Sequence, residues 1–415
     1  MFSESEFWSV LLITTDPDSD KPTPLSVVSR YLELSKDRPL DINICTHDKM
    51  EWHSGLPTEH STLQATKLSM LHVHKKVQVA AAMALLTPHQ RRWQRLHVDV
   101  MCSLAEAVTP TTGTLEAPVL ESMNIHGMSL RQMFDCGTPM LPKVKEIRID
   151  GYDYHEFPPF PVADFVRLLY KLPSLRTLRC IDLELDPSSD ELNPPDLGNP
   201  PKIKVVEFTD MVDNDIEAIS SCSGRPTVTL AHYKCCVFKQ RVELFHTSGS
   251  CILTGIYSDT EVLNVLKDWN GPQCSTLHLN NDTSFSEDII EALAGPLPDG
   301  SWICPNLTEL ILPGYCHEFS DDWSAQGALV NMIETRYAFN SNTQLPPQGH
   351  PAHVVSSLTR LTVNAVECVK ETIEADLEWL DANLVSVRWG DWSGGSGEYF
   401  KSKSSVEGPD GETYA

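Results

Sequence analysis

The sequence predicts an α/β fold, a leucine-rich-repeat solenoid: a ribonuclease-inhibitor-like curved array with parallel strands on the concave side and helices on the convex side. Three observations predict it. The stretch Pro305 to Leu312 (PNLTELIL) reads L-x-x-L-x-L, with Leu307, Leu310 and Leu312 spaced as such a repeat spaces its inward residues. The same spacing returns along most of the chain. Segments of helical period separate the copies, and Pro or Gly precedes most of them. A strand this short buries too little to hold itself together, so copies stacked beside it are a physical requirement.

In chain order, Pro24 to Ser35 carries Leu25, Val28, Tyr31 and Leu32 at helical spacing, and Asp37-Arg38-Pro39 ends it. Leu40 to Ile44 alternates as a strand. Leu63 to Leu86 is mostly helical in pattern, closed by Thr87-Pro88. Residues 1–88 are therefore expected to form an N-terminal helix and strand cap, and 89–392 the repeat array. The frame is filled by Trp93, Leu96 and Val98; Leu120, Met123 and Ile125; Val144, Ile147 and Ile149; Leu175, Leu178 and Cys180; and Ile203, Val206 and Phe208. It resumes with Cys274, Leu277 and Leu279, then the Leu307 copy, Leu358, Leu361 and Val363, and Leu384, Val387 and Trp389. Steps of 27, 24, 31 and 28 residues, then 33 and 26, imply long units with insertions. Between Ile203 and Cys274, Val228-Ala231-Tyr233 and Cys251-Thr254-Ile256 fill the frame poorly.

Helical pattern is read at Val162 to Leu172, at Thr260 to Trp269 with Ser258 or Asp259 as cap, after the Ser284-x-x-Glu287 capping box, and at Asp321 to Tyr337. Loop insertions are expected at 186–201, acidic and Pro-rich, and at 340–351, with a disordered Gly/Ser tail at 393–415.

Composition narrows the function. Lys+Arg 32 against Asp+Glu 57, a net charge of −25, excludes a phosphate-binding surface for nucleic acid and disfavours anionic membranes. No apolar run reaches the length of a membrane span, and the acidic start is unlike a signal peptide, so a cytoplasmic and/or nuclear location is expected. The 12 cysteines contain no CxxC pair and read as buried thiols of a reducing compartment.

No phosphate loop, G-x-G-x-x-G turn, G-x-S-x-G elbow or H-E-x-x-H helix is present. His232-x-x-Cys235-Cys236 with Cys222 upstream has poor zinc spacing, and His72-x-His74 reads as a surface pair. The expectation is a protein that is not an enzyme and carries no catalytic residues, cofactor or metal. Alternation places the residues between the apolar slots on the concave face. The candidates for partner contact there are Arg95, His97, Asp99, Asn124, Glu146, Arg148, Arg179, Glu207, His278, Glu309, Arg360 and Arg388. Arg179, Arg360 and Arg388 interrupt an acidic molecule and are the expected anchors for a protein ligand.

Phe7-Trp8-Ser9-Val10, the run Tyr31 to Ile44 (YLELSKDRPLDINI), His89 to Val98 (HQRRWQRLHV) and Ala117 to Ile125 (APVLESMNI) together resemble the F-box-like proteins of basidiomycete fungi, over residues 7 to about 390. That resemblance implies a repeat module holding a substrate for an SCF-type ubiquitin ligase. In that family an F-box precedes the Trp-Ser segment and docks on a Skp-type adaptor and cullin scaffold. Only Met1 to Phe7 precede Trp8 here, so the adaptor-binding residues have no matching positions, and the adaptor is an expected partner only if an upstream F-box exists. A scaffold unrelated to ubiquitin is the alternative, and an enzyme with a site assembled from distant residues is another.

Overall fold

The computed structural model describes residues 8–15, 22–45, 76–99, 115–126, 140–151, 159–186, 200–241, 243–269, 274–280, 287–298, 300–312, 323–341, 355–364, 374–390 and 392–397. They divide into two compact units, Met1–Met211 with Ala218–Pro226, and Val212–Glu217 with Thr227–Ala415.

The first unit is built on strands β1 (Val10–Thr14), β2 (Leu40–Cys45), β3 (Trp93–Asp99), β4 (Ser122–His126), β5 (Glu146–Asp150), β7 (Thr177–Ile181) and β9 (Val205–Thr209), with a two-residue pair, β6 (Phe160–Pro161) and β8 (Leu185–Asp186), beside them. Neighbours in the main sheet are all parallel. Register is set by the apolar slots. Leu11, Ile42, Leu96, Met123, Ile147, Leu178 and Val206 lie opposite one another in one continuous row, and all are buried. A one-residue slip would turn this whole row outward, so the pattern admits one register. The sheet takes in β1 and β2, from the segment expected to be a cap.

Helices connect these strands. α1 (Leu25–Ser35) buries Val28 and Leu32 and ends where Lys36 turns left-handed at φ 52. A second, α2, spans 76–86 and buries Val79, Ala82, Met83 and Leu86, the i, i+3, i+4, i+7 stripe of an amphipathic helix. A 3-10 turn, Thr87–Arg92, follows it, with Thr87 Oγ1 donating to the Met83 carbonyl at 2.7 Å. α3 (Val162–Tyr170) buries Phe165, Val166, Leu168 and Leu169. Three of the passages that carry the family resemblance meet here. Trp8 packs edge-on to Tyr31 at 4.9 Å, and Arg92 donates to Ser35 Oγ at 2.6 Å and to the Arg38 carbonyl at 2.9 Å.

The second unit carries β10 (Thr227–Lys234), β11 (His246–Thr254), β12 (Thr276–Asn280), β13 (Glu309–Leu312), β14 (Arg360–Val363), β15 (Ser386–Trp389) and β16 (Trp392–Gly394). All pairings are parallel except that of β16 with β15. α4 (Asp213–Cys222) precedes β10. α5 (Asp259–Asp268) is capped by Ser258, whose Oγ accepts from the Glu261 amide, and buries Val262, Val265 and Leu266. α6 (Glu287–Ala294), α7 (Trp323–Ser341) and α8 (Glu374–Asn383) follow. α8 was not expected. The sequence marks it weakly, because Leu380 is its one wholly buried apolar side chain.

Two backbone devices recur. An apolar-Pro-x-apolar turn leads into several strands: Leu120, Val144, Leu175 and Leu307 each donate their amide to the carbonyl three residues back, across Pro118, Pro142, Pro173 and Pro305. At strand exits, Gly151, Asp182, Asp210, Cys235, Gly255 and Gly390 take φ between 48 and 62, the left-handed turn that sends the chain out of the sheet.

Two expectations are corrected. The frame Cys251-Thr254-Ile256 is wrong by three residues. Register places Cys251 opposite Ala231 and Leu277, and Leu253 opposite Tyr233 and Leu279. A bulge adds a residue to β11, so the slot opposite Val228 is filled by the polar, buried Thr247, four residues before Cys251. The disordered tail expected from 393 does not hold for residues 393–397. Ser393 and Gly394 belong to β16, and the Ser396 and Gly397 amides donate to the Leu384 and Val385 carbonyls at 2.8 and 3.0 Å. The insertions at 186–201 and 340–351, the Ser284 cap and His72-x-His74 fall largely or wholly outside the described residues.

Candidate functional site

Alternation leaves each sheet one buried face and one open face, and the predicted contact residues stand on the open ones. In the first unit the row before the second slot reads Val10, Asp41, Arg95, Ser122, Glu146, Thr177, Val205. The row after it reads Leu12, Asn43, His97, Asn124, Arg148, Arg179, Glu207. Arg95 and Asp99 are exposed; His97, Asn124, Glu146, Arg148, Arg179 and Glu207 are half-buried.

These side chains are engaged with one another. Arg179 bridges two strands: its Nε donates to Glu207 Oε2 at 2.6 Å and its other arm to Glu146 Oε1. Burial pulls the Arg179 pKa down, but the hydrogen bonds and charges of Glu207 and Glu146 outweigh it and leave the group above its ordinary value. Arg148 Nε donates to Asp150 Oδ1 at 2.7 Å, Asn124 Nδ2 lies 2.9 Å from His97 Nδ1, and Arg95 sits 3.7 Å from Asp41. Reversing the charge of Arg179 would set three carboxylates side by side, so that arginine is a strut of this face and unsuited to a clean binding test.

The second unit's open face differs. Its rows read Leu230, Ser250, Thr276, Glu309, Arg360, Ser386 and His232, Ile252, His278, Ile311, Thr362, Arg388. Leu230, Ile252 and Ile311 are half-buried, as are His278 and Glu309, while Arg360 and Arg388 are exposed. Glu309 accepts from Thr276 Oγ1 at 3.2 Å, and His232 shares a 3.1 Å hydrogen bond with Thr254 Oγ1. Burial lowers the His278 pKa, so its ring is neutral at neutral pH. Arg360 and Arg388 form no ion pair among the described residues.

Sequence reasoning missed Asp41 and Asn43, because β2 reaches its second slot one residue early, with a register shift between Leu40 and Asp41. It missed His232 and Ile252 because β10 and β11 fill the frame poorly. Arg336 gave no signal at all. It is fully buried on α7, donating to the carbonyls of Leu293 at 3.0 Å, Ile303 at 3.4 Å and Cys304 at 2.6 Å, with Trp302 stacked 5.6 Å away. Desolvation pushes its pKa down to about 10.

Burial pushes the Cys180, Cys251 and Cys304 thiols up, so they stay protonated and unreactive. Cys236 is buried, its thiol directed at the Lys234 carbonyl at 3.5 Å. Among the described residues no group of three or more His, Cys, Asp or Glu is disposed to hold a metal ion, and no helix is long and apolar enough to cross a membrane. No protein-family model matches the chain, and no curated protein matches it.

Proposed function

We propose that this chain is a non-catalytic leucine-rich-repeat module that binds another protein on the open faces of its sheets. The observation that carries the reading is the in-register stacking of near-equivalent strands, which lines up side chains of different strands into continuous, accessible rows. Repeat arrays use extended surfaces of this kind for protein ligands. The thiols held neutral by burial and the carboxylates tied to arginines support a surface built for contact. A substrate-receptor role in an SCF-type ubiquitin ligase follows from the family resemblance, and the meeting of Trp8 with Tyr31 and of Arg92 with Ser35 supports treating those passages as one structural unit.

Affinity purification of the tagged full chain from cells, wild type against Arg148→Glu/Arg388→Glu, tests both parts. At least one protein should be retained by the wild type and lost by the variant. Identical protein sets would overturn the binding reading. Absence of Skp-type adaptor and cullin subunits would remove the ubiquitin reading and leave a scaffold.

A further inference from the structure

The second unit's open face specifies its own ligand chemistry. Arg360 lies opposite Ser386, and Arg388 opposite Thr362, on the neighbouring strands β14 and β15. Two residues thus related are diagonal neighbours, about 7–8 Å apart at the backbone. Both are exposed, and neither has an ion pair among the described residues. Like charges this close repel, and the chain has Asp+Glu 57 with which to neutralise them. In the first unit it does so, at Arg148 and Arg179. On β13 the open-face neighbours are Glu309, opposite Arg360 and engaged by Thr276 Oγ1, and Ile311, opposite Thr362; one strand further on stands His278, half-buried and kept neutral by desolvation.

Resting on the binding role proposed above, we infer that this face takes an extended, acidic segment of a partner protein. Its carboxylates pair with Arg360 and Arg388, and its apolar side chains cover Ile311, Ile252 and the ring of His278. Strands stand about 4.8 Å apart, so the path from β12 to β15 is about 14 Å, the span of four or five extended residues. The partner's acidic groups are local. A partner of high overall negative charge would be repelled by a chain of net charge −25.

Random twelve-residue peptides displayed on phage and selected against the folded full chain test this, with affinities read by fluorescence anisotropy on synthetic copies. Selected peptides should carry Asp or Glu beside apolar residues. Arg360→Glu/Arg388→Glu should weaken them at least tenfold, and peptides with Lys in place of the acids should recover binding to that variant. Lys202→Glu, an exposed position outside the rows, controls for net charge, and circular dichroism confirms that each variant folds. Peptides that ignore the double reversal but are lost on Ile311→Asp would overturn the acidic-ligand inference and leave the face as a binding surface. Peptides indifferent to every substitution in the rows would overturn both. A library that yields no binder overturns the inference.

Discussion

The open faces of the two units are built from the same strand pattern and treat charge in opposite ways. In the first, Glu146, Arg179 and Glu207 form a three-strand ladder, Arg148 holds Asp150, and Asn124 meets His97. In the second, Ile252, a neutral His278 and Ile311 run across β11 to β13, and Arg360 and Arg388 follow on β14 and β15 with no ion pair among the described residues. A face that satisfies its own charges has little electrostatic energy left for a ligand. A face that leaves cations unpaired beside apolar surface gains when a ligand supplies the carboxylates. Position in a repeat therefore does not establish a contact role; the partners available on adjacent strands do.

The largest expected effect lies beneath the second face. Arg336 is a buried cation with no carboxylate partner among the described residues, held by three carbonyls and a ring. Replacing it with Met keeps much of the volume and removes every donor. The Cys304 carbonyl keeps the Leu307 amide, but those of Leu293 and Ile303 lose this donor at roughly 1–3 kcal/mol each, so Arg336→Met should lose about 2 kcal/mol or more in urea unfolding followed by tryptophan fluorescence. A loss below about 1 kcal/mol would mean that the carbonyls find other donors.

The next effect is at the bulge in β11. A Cβ on Gly249 would meet the Thr229 carbonyl oxygen at 2.4 Å, a backbone atom that cannot swing aside. Cys274 donates its thiol to the Thr247 carbonyl at 2.6 Å in the same bulge. Gly249→Ala should cost about 1–3 kcal/mol, the range for overpacking a fitted site. An unchanged melting temperature would show that the bulge can slip its register.

The ion-pair ladder ranks third. A double-mutant cycle on Glu207→Gln and Arg179→Gln should return a coupling of up to about 1 kcal/mol, given how much of both side chains is exposed. Arg360→Gln and Arg388→Gln should each stay within about 0.5 kcal/mol of wild type. Equal effects on the two faces would erase the distinction between them.

The strands were legible because their signal is local. Slots three and then two residues apart, flanked by Pro, are readable at Leu175, Leu178 and Cys180 without knowing what lies alongside. β11 was misread because its first slot is Thr247 and one residue is inserted, which removes both the apolar signal and its spacing. Alternation placed Arg179 and Arg388 on open faces, but not their circumstances. Those depend on cross-strand neighbours: Glu207, directly opposite Arg179, stands 28 residues away in sequence, and Glu146, diagonal to it, stands 33. Arg336 was invisible, since a guanidinium whose two terminal nitrogens bond to carbonyls needs no paired acid in the sequence.

The smallest effect is a pH dependence in which two groups of the second unit act with opposite signs. Desolvation lowers the His278 pKa, so the unfolded chain binds its proton more readily than the folded one. Its contribution to stability is complete above the ordinary histidine value of about 6.5 and is lost as pH falls from there through the lowered folded-state value. Glu261, in the first turn of α5, has its pKa raised by desolvation and then by Asp213, against the opposing pull of Lys239. The carboxyl works the other way: its contribution is present at acid pH and lost as pH rises through the raised value. His278→Gln should therefore flatten the stability decline between pH 7.5 and 5.5, and Glu261→Gln should gain stability over wild type as pH climbs from 4 toward 7, both read from urea midpoints at matched ionic strength. If His278→Gln leaves the slope intact, the ring is already solvated and the second face is less apolar than the strands around it imply.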